Sequence, residues 1–272
     1  MGIIVGLDVG GSTTKVVGMD KDQVIGNKIV KADDPVTSAF GALGKLMDSY
    51  DLKISDIERL KITGVGASFP NGNLLGIPTT RIQEFFATGQ GGLFLSGLEH
   101  AVVVSMGTGT AFVEATKTDV RHIIGSGVGG GTLVGLANCA LNMRDFDLIA
   151  DLARDGNLNH VDLTIGDISH AVIPGLTMDT TASNFGKMQE DASKSDVAYG
   201  LFNVVFQSIG TMAVLAARNA GLKDVVFTGQ ATKAPMCNAI YKNFSELYNI
   251  NFIVPQMSEF ATAIGAAIAT EE

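Results

Sequence analysis

The sequence predicts an α/β protein of two lobes, and three observations carry that expectation. An apolar strand reaches a carboxylate near its end, turns through two glycines and returns as a second strand in "GLDVGGSTTK", residues 6–15. The same strand–glycine turn–strand design returns at 101–116, around "SMGTGT". Helical patterns then alternate with short strands to the end of the chain, the ordering of an α/β fold. A chain of 272 residues holds two domains or one large one with two lobes, and buries roughly 75% of its unfolded surface.

Each element follows from its pattern. Residues 3–7, 15–19 and 24–30 read as strands, and the polar turn at 20–23 makes them a meander. At 36–50 the spacing is helical, with Phe40, Leu43, Leu46 and Met47 on one face. A strand at 60–65 ends at Gly64 and Gly66, 72–77 is rich in turn residues, and a helix is expected to begin within 81–86. The second hairpin (101–105 and 111–116) leads through a short strand at 121–124 into "GSGVGGGT" and a helix at 133–141. Two short helices in loops are expected over 145–175. The longest helical pattern is 197–221, with Leu201, Val204, Val205, Ser208, Met212, Leu215 and Ala216 along one side. A strand at 225–228, a helix at 236–247, a strand at 251–254 and a small-residue helix at 260–269 complete the chain.

Composition excludes several classes of protein. The formal net charge of −9 argues against nucleic acid as a partner, because a phosphate backbone needs a basic face. No run of 18 apolar residues offers a membrane span, and no basic start or cleavage site suggests a signal peptide. Cys139 and Cys237 form neither a CxxC nor a metal pattern, and read as reduced thiols of a cytoplasmic protein. Glycine is the informative residue: 33 in the chain, about 12% against an average near 7%. The glycines cluster at 10–11, 89–92, 107–109 and 125–131, where backbone is expected to turn tightly or approach a ligand closely.

The clusters suggest a phosphate site. In the opening turn, the amides of Gly10 and Gly11, the hydroxyls of Ser12, Thr13 and Thr14, and Lys15 can converge on a phosphate, while Asp8 can hold Mg²⁺ through water. Gly107, Thr108, Gly109 and Thr110 repeat the design, so two turns could clasp a triphosphate between two lobes. "GSGVGGGT" satisfies GxGxxG at Gly125, Gly127 and Gly130, with Asp145 or Asp147 as the acid that a dinucleotide site needs. Its place after a hairpin favours instead a helix N-terminus facing a nucleotide, through Gly129, Gly130 and Gly131. "VVFTGQ" at 225–230 brings Gly229 and Gln230 to a strand end, where adenine or ribose can lie against backbone. Glu84, beside two phenylalanines and before a glycine run, is a candidate general base with a raised pKa. Arg121 and His122 are candidates to bind a carboxylate or a transferring phosphoryl.

The order of these motifs resembles the acetate and sugar kinase, Hsp70 and actin superfamily and, more narrowly, the type II pantothenate kinases. The narrower resemblance rests on Glu84 in "EFFATGQG", "MGTGT" at 106–110, "GSGVGGGTLVGL" at 125–136 and "SNFG" at 183–186, and runs along nearly the whole chain. It implies a two-lobed actin-like ATPase fold with a duplicated ribonuclease H-like core. The lobes would be residues 1–100, with a terminal helix (258–272) packing back on them, and a dimer-forming 101–257. It implies ATP and Mg²⁺ as cofactors, pantothenate as the small-molecule substrate, a homodimer, and the first step of coenzyme A biosynthesis. Glu84 would then be the general base, and an arginine before the triple glycine would bind substrate, with Thr108 on both the substrate and the nucleotide sides. Here the chain departs: His122 stands at that position and Arg121 one residue earlier, so a local bulge restores Arg121 or His122 does part of the work. Three alternatives share the opening motif: a kinase for a sugar or acyl substrate, an ATP-driven activator of a 2-hydroxyacyl-CoA dehydratase that carries an iron–sulfur cluster on cysteines, and a nucleotide-binding regulator without catalysis.

Overall fold

The computed structural model describes residues 2–31, 34–68, 72–171 and 173–270. It opens with an antiparallel meander of β1 (Ile3–Val9), β2 (Thr13–Asp20) and β3 (Gln23–Lys31). Next comes α1 (Pro35–Ser49), started by Pro35 and by Asp34, whose Oδ1 accepts from the Thr37 amide at 2.7 Å. β4 (Ile57–Thr63) lies parallel to β1 and β5 (Thr79–Arg81) parallel to β4, giving the order β3-β2-β1-β4-β5. α2 (Glu84–Ser96) then ends at Gly97 in the left-handed region.

The second half repeats the plan. β6 (His100–Met106), β7 (Thr110–Thr116) and β8 (Val120–Ser126) form an antiparallel meander. α3 (Gly130–Leu141), α4 (Phe146–Ala153), a ribbon of β9 (Leu163–Thr164) and β10 (Thr181–Ser183) around α5 (Ile165–Ile168), and α6 (Lys194–Ala220) follow. β11 (Asp224–Thr228) lies parallel to β6, and after α7 (Cys237–Tyr248), β12 (Asn251–Ile253) lies parallel to β11. The order β12-β11-β6-β7-β8 is that of the first sheet, three meander strands on one side and two parallel strands on the other. α8 (Ala261–Ile268) closes the described chain.

Each sheet buries both faces, which is why its central strands are apolar at consecutive positions instead of alternating. The outer face of the first sheet packs Val5, Leu7 and Val9 on Ala39, Leu43 and Leu46 of α1. Its inner face packs Val17 and Met19 on Ala263, Ile264 and Ala267 of α8. The outer face of the second sheet packs Val102, Val104, Phe112 and Phe227 on α3, α6 and α7. Its inner face packs Val103, Val113, Ala115 and Val226 on Leu93 of α2. At roughly 1.5–3 kcal/mol for each large side chain buried, these layers supply the main stabilisation.

α2 and α8 therefore lie back to back between the sheets. A Cβ on Gly91 would overlap the carbonyl oxygen of Ala261, and one on Gly265 that of Ala87. The glycine run at 89–92 is thus a close approach inside a helix and not a turn. Buried Thr88 and Thr262 share a hydrogen bond of 3.2 Å at the crossing. Lys61, buried on the inner face of β4, donates to the carbonyls of Ala267 (3.1 Å) and Ala269 (2.5 Å), a cation on the negative end of α8.

Other sequence expectations shift. The helix expected to begin within 81–86 begins at Glu84, after a strand that ends at Arg81, and β9 and β10, at two and three residues, are too short to show a period. On α6 the buried side runs through Leu201, Phe202, Val205, Phe206, Ile209, Ala213 and Ala217, while Leu215 is 60% exposed. The stripe is wide because α3, α4 and α7 all pack on this helix in addition to the sheet, and a wide stripe hides its own centre. By length and composition α6 could cross a membrane, but 67% of its most apolar stretch is buried in the protein, as in a core helix.

Candidate active site

The parallel strands β1, β4, β6 and β11 bring their C-terminal ends to one place, where open α/β sheets bind ligands. Two of these ends are built alike. Thr63-Gly64 closes β4 and Thr228-Gly229 closes β11; both threonines are fully buried, and the glycines have φ of +93° and +94°. That region strains any side chain, and there is also no room for one. A Cβ on Gly64 would lie 2.7 Å from Asp8 Oδ1, and one on Gly229 would lie 2.5 Å from the Met106 carbonyl oxygen.

The two glycine turns face each other. Ser12 Oγ in the β1–β2 turn and Thr108 Oγ1 in the β6–β7 turn are 3.0 Å apart. Gly10 N–H donates to Thr13 C=O within its own turn, while Gly11 is exposed and a Cβ there would meet nothing. The Thr110 hydroxyl donates to Val128 C=O at 2.8 Å, tying the second turn to the loop before α3. The third glycine cluster departs from expectation. The amides of Gly130 and Gly131 donate to the carbonyls of Gly107 and Thr108, both at 2.9 Å, and that of Gly129 to Thr132 Oγ1 at 3.2 Å. The start of α3 braces the second turn and does not hold these donors open for a phosphate.

The charged groups come from the first half. Asp8 and Lys15 are opposed in the β1–β2 ladder, both 7% exposed, with Nζ 3.4 Å from Oδ2. The second turn has Ser105 opposite Ala111, so the charge is one-sided. Glu84 begins α2, and Gln83 caps the helix by accepting from the Phe86 amide at 2.5 Å. Glu84 is open to the cleft, yet neighbouring protein displaces part of its carboxyl's water. That desolvation raises its pKa first, the charge of Asp8 adds to the rise, and Lys15 opposes it.

A bulge in β8 sends Arg121 and His122 to opposite faces. Phe112 pairs with Ile124 but Val113 with His122, leaving Ile123 as the extra residue. Arg121 lies opposite Glu114 on the face away from α2, and the two are bridged at 2.5 Å. Hydrogen bonds from Arg121 and then from His100 hold the Glu114 carboxyl below its ordinary range. Arg121 is thus engaged with Glu114 on the face opposite to His122. His122 faces α2, stacked on Phe85 with ring centroids 4.4 Å apart and planes at 17°.

Two buried polar atoms have no partner among the described residues: Thr63 Oγ1, on the residue paired with Asp8, and Gln230 Oε1, after Gly229. A buried acceptor without a donor is costly, and Gln230 Oε1 is such an acceptor at the end of β11. Sequence reasoning named Gln230 but not Thr63, although "ITG" at 62–64 and "FTG" at 227–229 carry the same signal. No group of three or more His, Cys, Asp and Glu side chains that could hold a metal occurs among the described residues. One carboxylate, Asp8, fits Mg²⁺, an ion held largely by water and phosphate oxygens. Asp162 was also missed. It is 1% exposed and accepts from Asn203 Nδ2 (2.6 Å), the Phe185 amide (2.8 Å) and Asn184 Nδ2 (3.2 Å), which anchors the "SNFG" loop.

Residues 100–266 match the model of the Fumble family. The chain belongs to the Fumble family. Among similar proteins, the type II pantothenate kinase of Staphylococcus aureus strain USA300 is 27% identical over 96% of this chain and 97% of its own length. That of the bovine strain RF122 is 26% identical over the same shares. Among solved structures, the activator of 2-hydroxyisocaproyl-CoA dehydratase from Clostridium difficile with bound ADPNP superposes with a TM-score of 0.69 at 16% identity, covering 97% of this chain and 92% of that one. A ROK family glucokinase from Streptomyces griseus in complex with glucose and AMPPNP has a TM-score of 0.63 at 13% identity, covering 98% of both chains. The Fumble-family chain thus has the actin-like ATPase fold with its duplicated core, and it is an enzyme of the kinase class.

Proposed function

We propose that the chain transfers the γ-phosphoryl group of ATP to the primary hydroxyl of pantothenate, giving 4'-phosphopantothenate, the first step of coenzyme A biosynthesis. The observation that carries this reading is Glu84: a carboxylate at the start of α2, within the electrostatic reach of Asp8 and Lys15 at the first glycine turn, with a raised pKa. Glu84 takes the hydroxyl proton as the oxygen attacks phosphorus, the γ-phosphate bond to the leaving ADP breaks, and a phosphate ester forms.

In this reading, Gly10, Gly11, Ser12 and Thr13 on one side and Gly107 to Thr110 on the other hold the phosphates, with Gly129 to Gly131 bracing the second turn. Gly229 and Gln230 face the nucleoside. Asp8 would hold Mg²⁺, which when bound would supply neutralisation of charge on the phosphates. Lys15, with Nζ 3.4 Å from Oδ2, fixes the orientation of the Asp8 carboxylate. His122 and Thr108 meet the acceptor, and Arg121 does not. The lobes, 1–100 with 258–272 and then 101–257, close on the ligands and exclude water. The enzyme works as a cytoplasmic homodimer, without nucleic acid or membrane partners.

The likeness to dehydratase activators supports a rival reading. Cys237 is fully buried, and burial pushes its thiol up to about 12, which leaves Cys139 as the exposed thiol. The deciding experiment is ADP release from Mg-ATP with and without pantothenate, alongside glucose as acceptor and an iron determination. Stimulation by pantothenate with a phosphorylated product by mass spectrometry establishes the proposal. Turnover with glucose alone, or iron in the purified protein without turnover, overturns it.

A further inference from the structure

We propose that Phe85 is a positioning residue for acceptor recognition: by stacking on His122 it holds the imidazole at the one place where its nitrogens can meet a hydroxyl or carbonyl of the acceptor. This rests on the kinase reading above. Phe85 directly follows Glu84 in the first turn of α2, so the stack is tied to the backbone that carries the base. His122 reaches it from the second sheet because of the Ile123 bulge, which sends His122 and Arg121 to opposite faces. The ring nitrogens of His122 have no hydrogen bond to another described residue, and Nε2 lies 3.9 Å from where a Cβ on Gly125 would sit. Gly125 pairs with Ala111, next to Thr110 of the second glycine turn. The imidazole therefore lies between Phe85, the residue after Glu84, and Gly125, whose partner Ala111 adjoins the second glycine turn.

Without the stack an exposed histidine would sample several rotamers. With it, one orientation is prepared before substrate arrives, and preorganisation appears as affinity for the group recognised. Lys15 and Arg121 are engaged with Asp8 and Glu114, so neither is poised to take over this contact.

The test compares Phe85→Leu, Phe85→Tyr, His122→Ala and the Phe85→Leu/His122→Ala double variant. Phe85→Leu and His122→Ala should each raise KM for pantothenate about tenfold, the scale of one lost hydrogen bond in a site, with kcat and KM for ATP within about twofold. The double variant should match His122→Ala alone, because the two act as one unit, and Phe85→Tyr should retain the parental KM. Multiplying effects in the double variant, or a loss confined to kcat, overturn the proposal. An independent readout is the NMR signal of the His122 ring protons, which Phe85 should shift upfield in the parent and not in Phe85→Leu. If the parent shows no pantothenate-dependent turnover, the substrate assignment fails, and this signal alone decides whether the lock exists: an unchanged shift in Phe85→Leu sinks it.

Discussion

Ser12 and Thr108 touch through their hydroxyls at 3.0 Å although 96 residues separate them. Each sits at the tip of a glycine turn, and the two turns belong to different sheets. The contact joins the two turns, and in the proposed reading the phosphates of ATP take its place.

The first prediction concerns that contact. Ser12→Ala should raise KM for ATP about three- to tenfold, the range of one neutral hydrogen bond, because the hydroxyl passes from Thr108 to a phosphate oxygen. The KM for the acceptor should not change. Tighter ATP binding in Ser12→Ala would instead make the contact a barrier to binding.

Glu84→Gln should lower kcat by about 10²–10⁴, the usual contribution of a general base. As the proposed base Glu84 has to be ionised, and its pKa is raised, so parental kcat/KM should fall as pH drops through a value above the ordinary carboxylate range. The raised pKa also means that folding favours the neutral form, a contribution gained toward acid and absent at neutral pH. Thermal unfolding of Glu84→Gln at pH 7 should therefore show no loss of stability.

Arg121→Ala should leave kcat/KM for the acceptor within about twofold. Its bridge to Glu114 is exposed on the Arg side (59%), and such pairs contribute about 1 kcal/mol or less. A tenfold rise in acceptor KM would return Arg121 to the site.

Gly265→Ala should be among the most destabilising single changes in the chain, by about 4 kcal/mol or more, since its Cβ would overlap the carbonyl oxygen of Ala87. Gly44→Ala in α1, where a Cβ meets nothing within 4 Å, is the control and should stabilise by about 0.4–1 kcal/mol. Urea unfolding of the two variants measures both.

Asp162→Asn should destabilise by about 2–3 kcal/mol, because an amide group would face donors from Asn184, Asn203 and the Phe185 amide. Chemical denaturation measures the loss, and a change below about 0.5 kcal/mol would mean that the network rearranges.

Much of the site was legible because strand ends and glycine turns leave local marks. Asp8, the two turns, Glu84 and Gly229 each stand in a short motif whose residue types suit phosphate or proton transfer. What was not legible depends on pairing between distant segments. The face that Arg121 takes is set by one extra residue against β7, which no pattern in β8 reveals. The amides of Gly130 and Gly131 read as free donors until the second turn is seen to accept from them. The glycines of α2 resemble a loop, because their reason lies in α8, far along the chain.

The α2–α8 crossing has a mechanical consequence. Helices ordinarily mesh by setting the ridges of one into the grooves of the other, so that turning one against the other means lifting side chains out of their slots. At this crossing glycine and small residues put backbone against backbone, with Thr88 and Thr262 as the hydrogen-bonded contact. Phe94 and Leu95 of α2 mesh with Ile264 beside it. The backbone contact therefore acts as a spacer between the sheets, and anything larger than hydrogen at Gly91 or Gly265 would wedge the two halves apart.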